Sequence, residues 1–188
     1  MKRILLLIVL LFSPLVHAAG PEAAARSFYR QMVAVGELRD PQIRRQVVEQ
    51  LMGDHFDFEG FYRRSLADHW GTWNSEQRET FNRAFQKKFI EHLSQNLHRL
   101  DRLTAARVSY RTVQKRGETA VIAQGQVEGT SIAVTLFLAH TGGEWKVCDL
   151  DIAGAKLSRN YRGMFSYVLR KSGFEGLLAR LNKSEKVI

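Results

Sequence analysis

The sequence predicts an α+β domain in which helices pack on a four-stranded antiparallel meander sheet. Two observations predict it. Apolar residues recur every four positions along Phe81, Phe85, Phe89, Leu93 and Leu97, whereas from Ala105 onward the period falls to two. Short turns, most of them glycine-bearing, then separate consecutive alternating runs, which leaves no room for crossover helices between strands.

The first element is a leader. Lys2 and Arg3 precede an apolar run from Ile4 to Phe12, Pro14 breaks it, and Val16-His17-Ala18 offers small residues for cleavage. This is the three-part pattern of a secretory signal. The run is too short for a spanning helix, which needs roughly 20 residues to cross about 30 Å of hydrocarbon. We therefore expect residues 1–18 to be a signal peptide, residues 19–188 to be one domain, and the mature protein to work in the periplasm.

Helices come next. Ala23 to Val35 carries Phe28, Met32 and Val35 on one face and ends at Gly36. Asp40-Pro41 supplies a cap and a first-turn proline for a second helix, with Gly53 expected to close it after Met52. Asp57 can cap a third helix holding Phe58, Phe61, Tyr62 and Leu66. Gly71-Thr72-Trp73 reads as a loop. Asn74 and Gln77 then form a capping box for the longest amphipathic helix, expected to end near Leu100.

The sheet follows. Val108, Tyr110 and Thr112 alternate with polar residues in a first strand, which turns at Arg116-Gly117. Thr119 to Val127 is the second strand, and Ile132 to Leu138 the third, apolar at nearly every position and so expected to be covered on both faces. Gly142-Gly143 turns into Trp145 to Ile152, and Gly154 is expected to end the sheet. A helix from about Ser158 to Lys171 closes at Gly173, and a short one carries Leu177, Leu178 and Leu181.

Composition narrows the function classes. The chain has 28 basic and 19 acidic residues, a formal charge of +9 that falls to +7 without Lys2 and Arg3. Such a surface suits nucleic acid, an anionic membrane or an acidic partner; export makes nucleic acid the poorest of these and leaves transient proximity to anionic headgroups. Cys148 stands alone, so the chain can form no internal disulfide, and its place in an apolar strand suits a small buried hydrophobe. His92 and His98, six apart, fall on different sides of a helix rather than on one metal-binding face. There is no HExxH, phosphate-binding glycine loop or GxSxG elbow. Asp54, His55 and Asp57 read as a polar loop with a helix cap. No catalytic residue, metal ligand or cofactor is assigned.

Aromatic residues are abundant: eleven Phe, five Tyr and three Trp, all but Phe12 beyond the leader. A long aromatic helix over a curved sheet makes either a well-filled core or the walls of an elongated apolar cavity, and periodicity does not separate the two.

The order of motifs adds a resemblance. Trp145-Lys146-Val147-Cys148-Asp149, Ile152-Ala153-Gly154-Ala155-Lys156-Leu157, Asn160-Tyr161-Arg162 and Phe165 follow one another across the last strand and the next helix. Upstream stand Phe56-Asp57-Phe58 and Trp70…Ser75-Glu76-Gln77…Phe81…Phe85, and Gly173-Phe174-Glu175-Gly176-Leu177-Leu178 closes the series. Together they resemble the MlaC-type, toluene-tolerance family of periplasmic phospholipid-binding proteins. Cys148 stands where an aromatic is commoner, and Ala155-Lys156 replaces Val-Ser.

The resemblance implies an apolar pocket between helices and sheet and a soluble carrier rather than an enzyme; docking at two places is met most simply by a monomer. Its cargo would be phospholipid, moved between an outer-membrane lipoprotein complex and an inner-membrane ABC transporter complex to preserve outer-membrane asymmetry. A hopanoid carrier, a small pocket-bearing periplasmic enzyme and an adaptor with a solid core are the alternatives. Two acyl chains of roughly 15 methylenes each, at about 0.8 kcal/mol per methylene, give an upper bound near ~24 kcal/mol, so lipid would exchange by docking and not through water. On this reading Phe58, Phe61, Tyr62, Phe85 and Phe89 form a helical wall. Tyr110, Ile122, Val134, Leu136, Trp145 and Val147 form the sheet wall, and Tyr161 and Phe165 close one end. Lys156 and Arg162 are the headgroup or mouth residues, with a clasp from Arg162 to Asp149 or Asp151 as the competing role.

Overall fold

The computed structural model describes residues 20–97, 108–115, 117–127 and 130–183. The expected leader and the expected helix end near Leu100 lie outside them. Helices α1 (Pro21–Gly36), α2 (Pro41–His55), α3 (Phe58–Leu66), α4 (Asp68–Thr72) and α5 (Ser75–Asn96) precede the sheet, and α6 (Leu157–Asn182) follows it.

Local chemistry sets these boundaries. Pro21 opens α1 at a position where its missing N–H costs nothing. At the other end Gly36 is required by space, because a Cβ there would meet the Leu97 carbonyl oxygen at 2.8 Å. The Asp40 carboxylate accepts from Gln42 N at 2.7 Å and Ile43 N at 3.1 Å, starting α2. Gly53 does not close that helix, which runs on to His55; an interior glycine costs only about 1 kcal/mol. Asp57 caps α3 through Gly60 N at 2.9 Å. The expected loop before Asn74 is instead largely the short α4, entered through Ala67 at φ 50°. The capping box at Asn74 and Gln77 is present in both directions.

The strands are β1 (Ser109–Lys115), β2 (Glu118–Val127), β3 (Thr130–Thr141), β4 (Glu144–Ile152) and β5 (Ala155–Lys156), in the order β1-β2-β3-β4-β5, with every pair antiparallel. The meander is as expected, but it has five strands, not four. The fifth arises because Ala153 at φ 53° and Gly154 at φ 86° fold the chain back, with Asp151 Oδ1 accepting from Gly154 N at 2.8 Å. Two residues are too few to show an alternating pattern, so Gly154 reads as an end when it is a hairpin.

Phe137 pairs with Asp149 but Leu138 pairs with Val147, which leaves Cys148 as the extra residue of a bulge. The outer edge of β4 is covered on both sides of this bulge. Phe56 bridges Val147, with Asp57 N donating to Val147 O at 2.8 Å, and β5 pairs with Asp151 and Ile152.

Pairing sorts the side chains by face. The rows Tyr110–Ala123–Val134–Ile152 and Thr112–Val121–Leu136–Leu150 point inward, toward α1 and the other helices. The rows Arg111–Ile122–Thr135–Asp151–Lys156 and Val113–Ala120–Phe137–Asp149 point outward. Leu136, Phe137 and Leu138 are all buried, so the middle of β3 is covered on both faces. A small second cluster of Ala120, Phe137 and Cys148 lies on the outer side. Helix α6 leaves helical geometry once, at Gly173 (φ 65°, ψ −166°), where the sequence places the end of one helix and the start of another.

Candidate functional site

Helices α3, α5 and α6 bring the aromatic residues together by their four-residue spacing. Phe81, Phe85 and Phe89 stack along α5 at 5.6 and 5.4 Å between successive ring centres. Phe61 of α3 lies 5.7 Å from Phe85 and 5.6 Å from Tyr161 of α6. Tyr62 stands edge-on to Phe85 at 5.4 Å and donates its hydroxyl to Asn82 Oδ1 at 2.7 Å. Phe165 closes on Phe81 and Phe85, and Phe58 on Phe89. Burial pushes the Tyr62 and Tyr161 hydroxyls well above the usual tyrosine range.

Seven of the residues expected to wall or close a hollow, Phe58, Phe61, Tyr62, Phe85, Phe89, Tyr161 and Phe165, therefore pack against one another. Rings this close leave no room for a chain between them.

The sheet residues divide differently. Leu136 and Val147 are buried on the inner face, while Tyr110, Val134 and Trp145 are only half-buried. Ile122 sits in the outward row with Arg111 and Thr135, not with the others. Its hydrophobicity suggests the inner face, but β2 turns Val121 and Ala123 that way, and a period of two puts Ile122 opposite.

Cover is thinnest at one end of the inner face. In the row Tyr110–Ala123–Val134–Ile152, Tyr110 and Val134 are half-buried and Ile152 is 51% exposed. Ile132, two residues before Val134 and on the same face, is half-buried as well. Helix α1 crosses this end. Its Tyr29 meets Tyr110 edge-on at 6.2 Å, and the Arg26 guanidinium lies 4.4 Å from the Tyr110 ring centre. Burial raises the Tyr110 pKa, with Arg26 and Arg30 pulling against it. The Tyr110 hydroxyl is buried and has no hydrogen-bond partner among the described residues. An apolar strip that opens to solvent beside Arg30, a spare hydroxyl and Arg26, whose guanidinium also pairs with Glu22 at 2.9 Å, can hold an amphiphile with an anionic head. Sequence reading missed Ile152, Arg26 and Arg30; the signal was there in Arg26, Tyr29 and Arg30 sharing one helix face at i, i+3 and i+4.

Lys156 and Arg162 are elsewhere. Lys156 is on the outer side of the sheet, its Nζ 3.1 Å from Glu118 Oε2, 3.6 Å from Asp149 Oδ2 and 3.7 Å from the centre of the Phe137 ring. Glu118 is shared with Arg64 at 3.0 Å. Arg162 donates to the Arg64 carbonyl through Nε, at 2.9 Å, and through Nη2. Neither the clasp to Asp149 nor that to Asp151 forms. Arg162 instead ties off a carbonyl in the last turn of α3, and the acceptor sites of Asp149 are taken by Leu150 N, Ser158 and Lys156.

Asp54, His55 and Asp57 do not converge on a reacting position: Asp57 caps α3 and His55 Nε2 lies 3.1 Å from Gln31 Nε2. Among the described residues no three His, Cys, Asp or Glu side chains are placed to hold a metal ion, and no helix is long and apolar enough to cross a membrane.

Comparison with known proteins bears on this arrangement. The family model described as MlaC protein matches residues 30–183. Among solved structures, the chain is similar to a phospholipid-binding protein from Ralstonia solanacearum, solved in complex with a phospholipid. The two are 22% identical with a TM-score of 0.69, over 87% of this chain and 96% of that one. No curated protein matches the chain in sequence.

Proposed function

Because the chain belongs to the MlaC protein family, we propose that it is a periplasmic phospholipid carrier that moves its cargo between an inner-membrane ABC transporter complex and an outer-membrane lipoprotein complex. The observation that carries this reading is the family match across residues 30–183, which takes in α2 to α5, the whole sheet and α6. The likeness to the Ralstonia solanacearum protein supports the fold in which such a cargo would sit.

The acyl chains enter at the thinly covered end of the inner sheet face, along Tyr110, Ile132, Val134 and Ile152. The phosphate lies toward Arg26 and Arg30. Deeper seating requires α1 to lift from the sheet, because the rings around Phe61 and Phe85 already fill the space between α3, α5 and α6. Burial of tails in the carrier replaces burial in a bilayer, so the transfer free energy is small and no hydrolysis inside the carrier is needed.

Native mass spectrometry on protein purified without detergent tests the reading. Intact phospholipid at about one per chain is the expected result. Its reproducible absence, with the protein folded, would overturn the carrier role.

A further inference from the structure

The outward face of α6 has a composition that packing does not explain. Between Asp151 and Glu175 the sequence contains no carboxylate side chain, yet it carries Arg159, Arg162, Arg170 and Lys171. Arg162 is engaged with Arg64, but Arg159, Arg170 and Lys171 are exposed and form no ion pair among the described residues. With them stand Gly163, whose Cβ position is open space, and Tyr167, which is 55% exposed with the Lys171 ammonium 5.8 Å from its ring centre. At 1.5 Å per residue, Arg159 to Arg170 spans about 16 Å of helix.

We propose that this face of α6 is a docking surface for an anionic phospholipid bilayer. The exposed cations are strung along one face of a single helix. That arrangement complements a sheet of mobile negative charges, which needs no matched shape. A protein partner would call for a desolvated anchor in a complementary cavity, and the face offers only one half-exposed ring. A tyrosine among arginines and a lysine is also the side-chain set that settles at headgroup depth, ring toward the tails and hydroxyl in the wet layer. The proposal goes beyond the carrier reading and does not depend on it.

Co-sedimentation with vesicles tests it. The parent chain is mixed with pure phosphatidylcholine vesicles, or with vesicles containing about one third phosphatidylglycerol, at low salt and near 1 M salt, where the screening length falls to about 3 Å. Binding is expected only with phosphatidylglycerol at low salt, and it falls at least tenfold in Arg159→Glu/Arg170→Glu. Gly163→Glu, where the new side chain meets nothing, weakens binding as well. Reversing Arg45 and Lys87, which border a separate 250 Å³ cleft between α2, α5 and the end of α6, leaves it unchanged. Tyr167→Cys carrying an environment-sensitive fluorophore shifts to the blue on phosphatidylglycerol vesicles. Equal binding to uncharged vesicles, no binding by the parent chain, or a loss that follows the Arg45 and Lys87 reversal instead would each overturn the proposal. So would capture of an acidic protein through Arg159 and Arg170 without vesicle binding. Thermal melts matching the parent show that the variants are folded. Lipid content, read separately by mass spectrometry, keeps a failure here distinct from a failure of the carrier reading.

Discussion

Asp149, wholly buried in the bulge of β4, accepts the backbone N–H of Ser158 through Oδ1 at 3.0 Å and the Ser158 hydroxyl through Oδ2. A strand carboxylate thus takes the role that a helix's own cap usually fills, since Lys156 at the N-cap of α6 makes no side-chain cap bond. The negative charge faces the positive end of a 26-residue helix. Asp149→Ala leaves the Ser158 N–H without an acceptor and removes one of the two carboxylates near Lys156. We expect a loss of about 3 kcal/mol in urea unfolding; a loss below about 1 kcal/mol would show that the contact is incidental.

The second prediction concerns acid. Burial alone would raise the Glu118 carboxyl, but hydrogen bonds from Lys156 and Arg64 outweigh it and hold the group below its ordinary value of 4.5. A carboxyl depressed in the folded state adds stability above its unfolded pKa and loses it as pH falls through the folded pKa. Glu118→Gln is therefore less stable than the parent near neutral pH, by about 1 kcal/mol for a pair that water partly screens. The gap between the two closes below about pH 4. Parallel urea midpoints across that range check the sign; a gap that widens in acid contradicts it.

Why some of this was legible in the sequence and some not follows from the range of each interaction. The caps at Asp40, Asp57 and Asn74 act within three residues, so their spacing gives them away. The meander needs only the short turns. Arg162 and Arg64 are 98 positions apart, and nothing local says that the guanidinium meets a carbonyl and not a carboxylate. The face of Ile122 was readable, since Tyr110 pairs with Ala123, but only once the register was known. Whether Phe61 and Phe85 line a space or fill it depends on interhelical distance, which an amphipathic pattern does not encode.

Cys148 gives a third test. Its thiol is fully buried and donates to the Phe137 carbonyl at 3.4 Å, and burial pushes its pKa up to about 12. Thiolate is the reactive form, so almost none is present at pH 8. Ellman's reagent is expected to leave the native protein untouched and to titrate one thiol per chain in denaturant. Rapid labelling of folded protein would mean that the bulge opens on the timescale of the assay.

The last prediction separates packing from cargo binding. Phe85 is almost wholly buried among six aromatic neighbours, so Phe85→Ala opens a cavity that such a crowded ring set closes poorly. We expect it to cost about 3–5 kcal/mol. Ile152→Asp acts at the exposed end of the inner face, where a carboxylate keeps its water and costs less than about 1 kcal/mol. That same carboxylate would sit among the acyl chains if tails enter along Tyr110 and Val134, and it would lower co-purified lipid severalfold in a protein that remains folded. The two variants thus separate on two axes, Phe85→Ala lowering stability and Ile152→Asp lowering lipid content. If Ile152→Asp retained full lipid while Phe85→Ala, still folded in mild conditions, lost it, the cargo would lie among the rings and the mouth would have to be placed elsewhere.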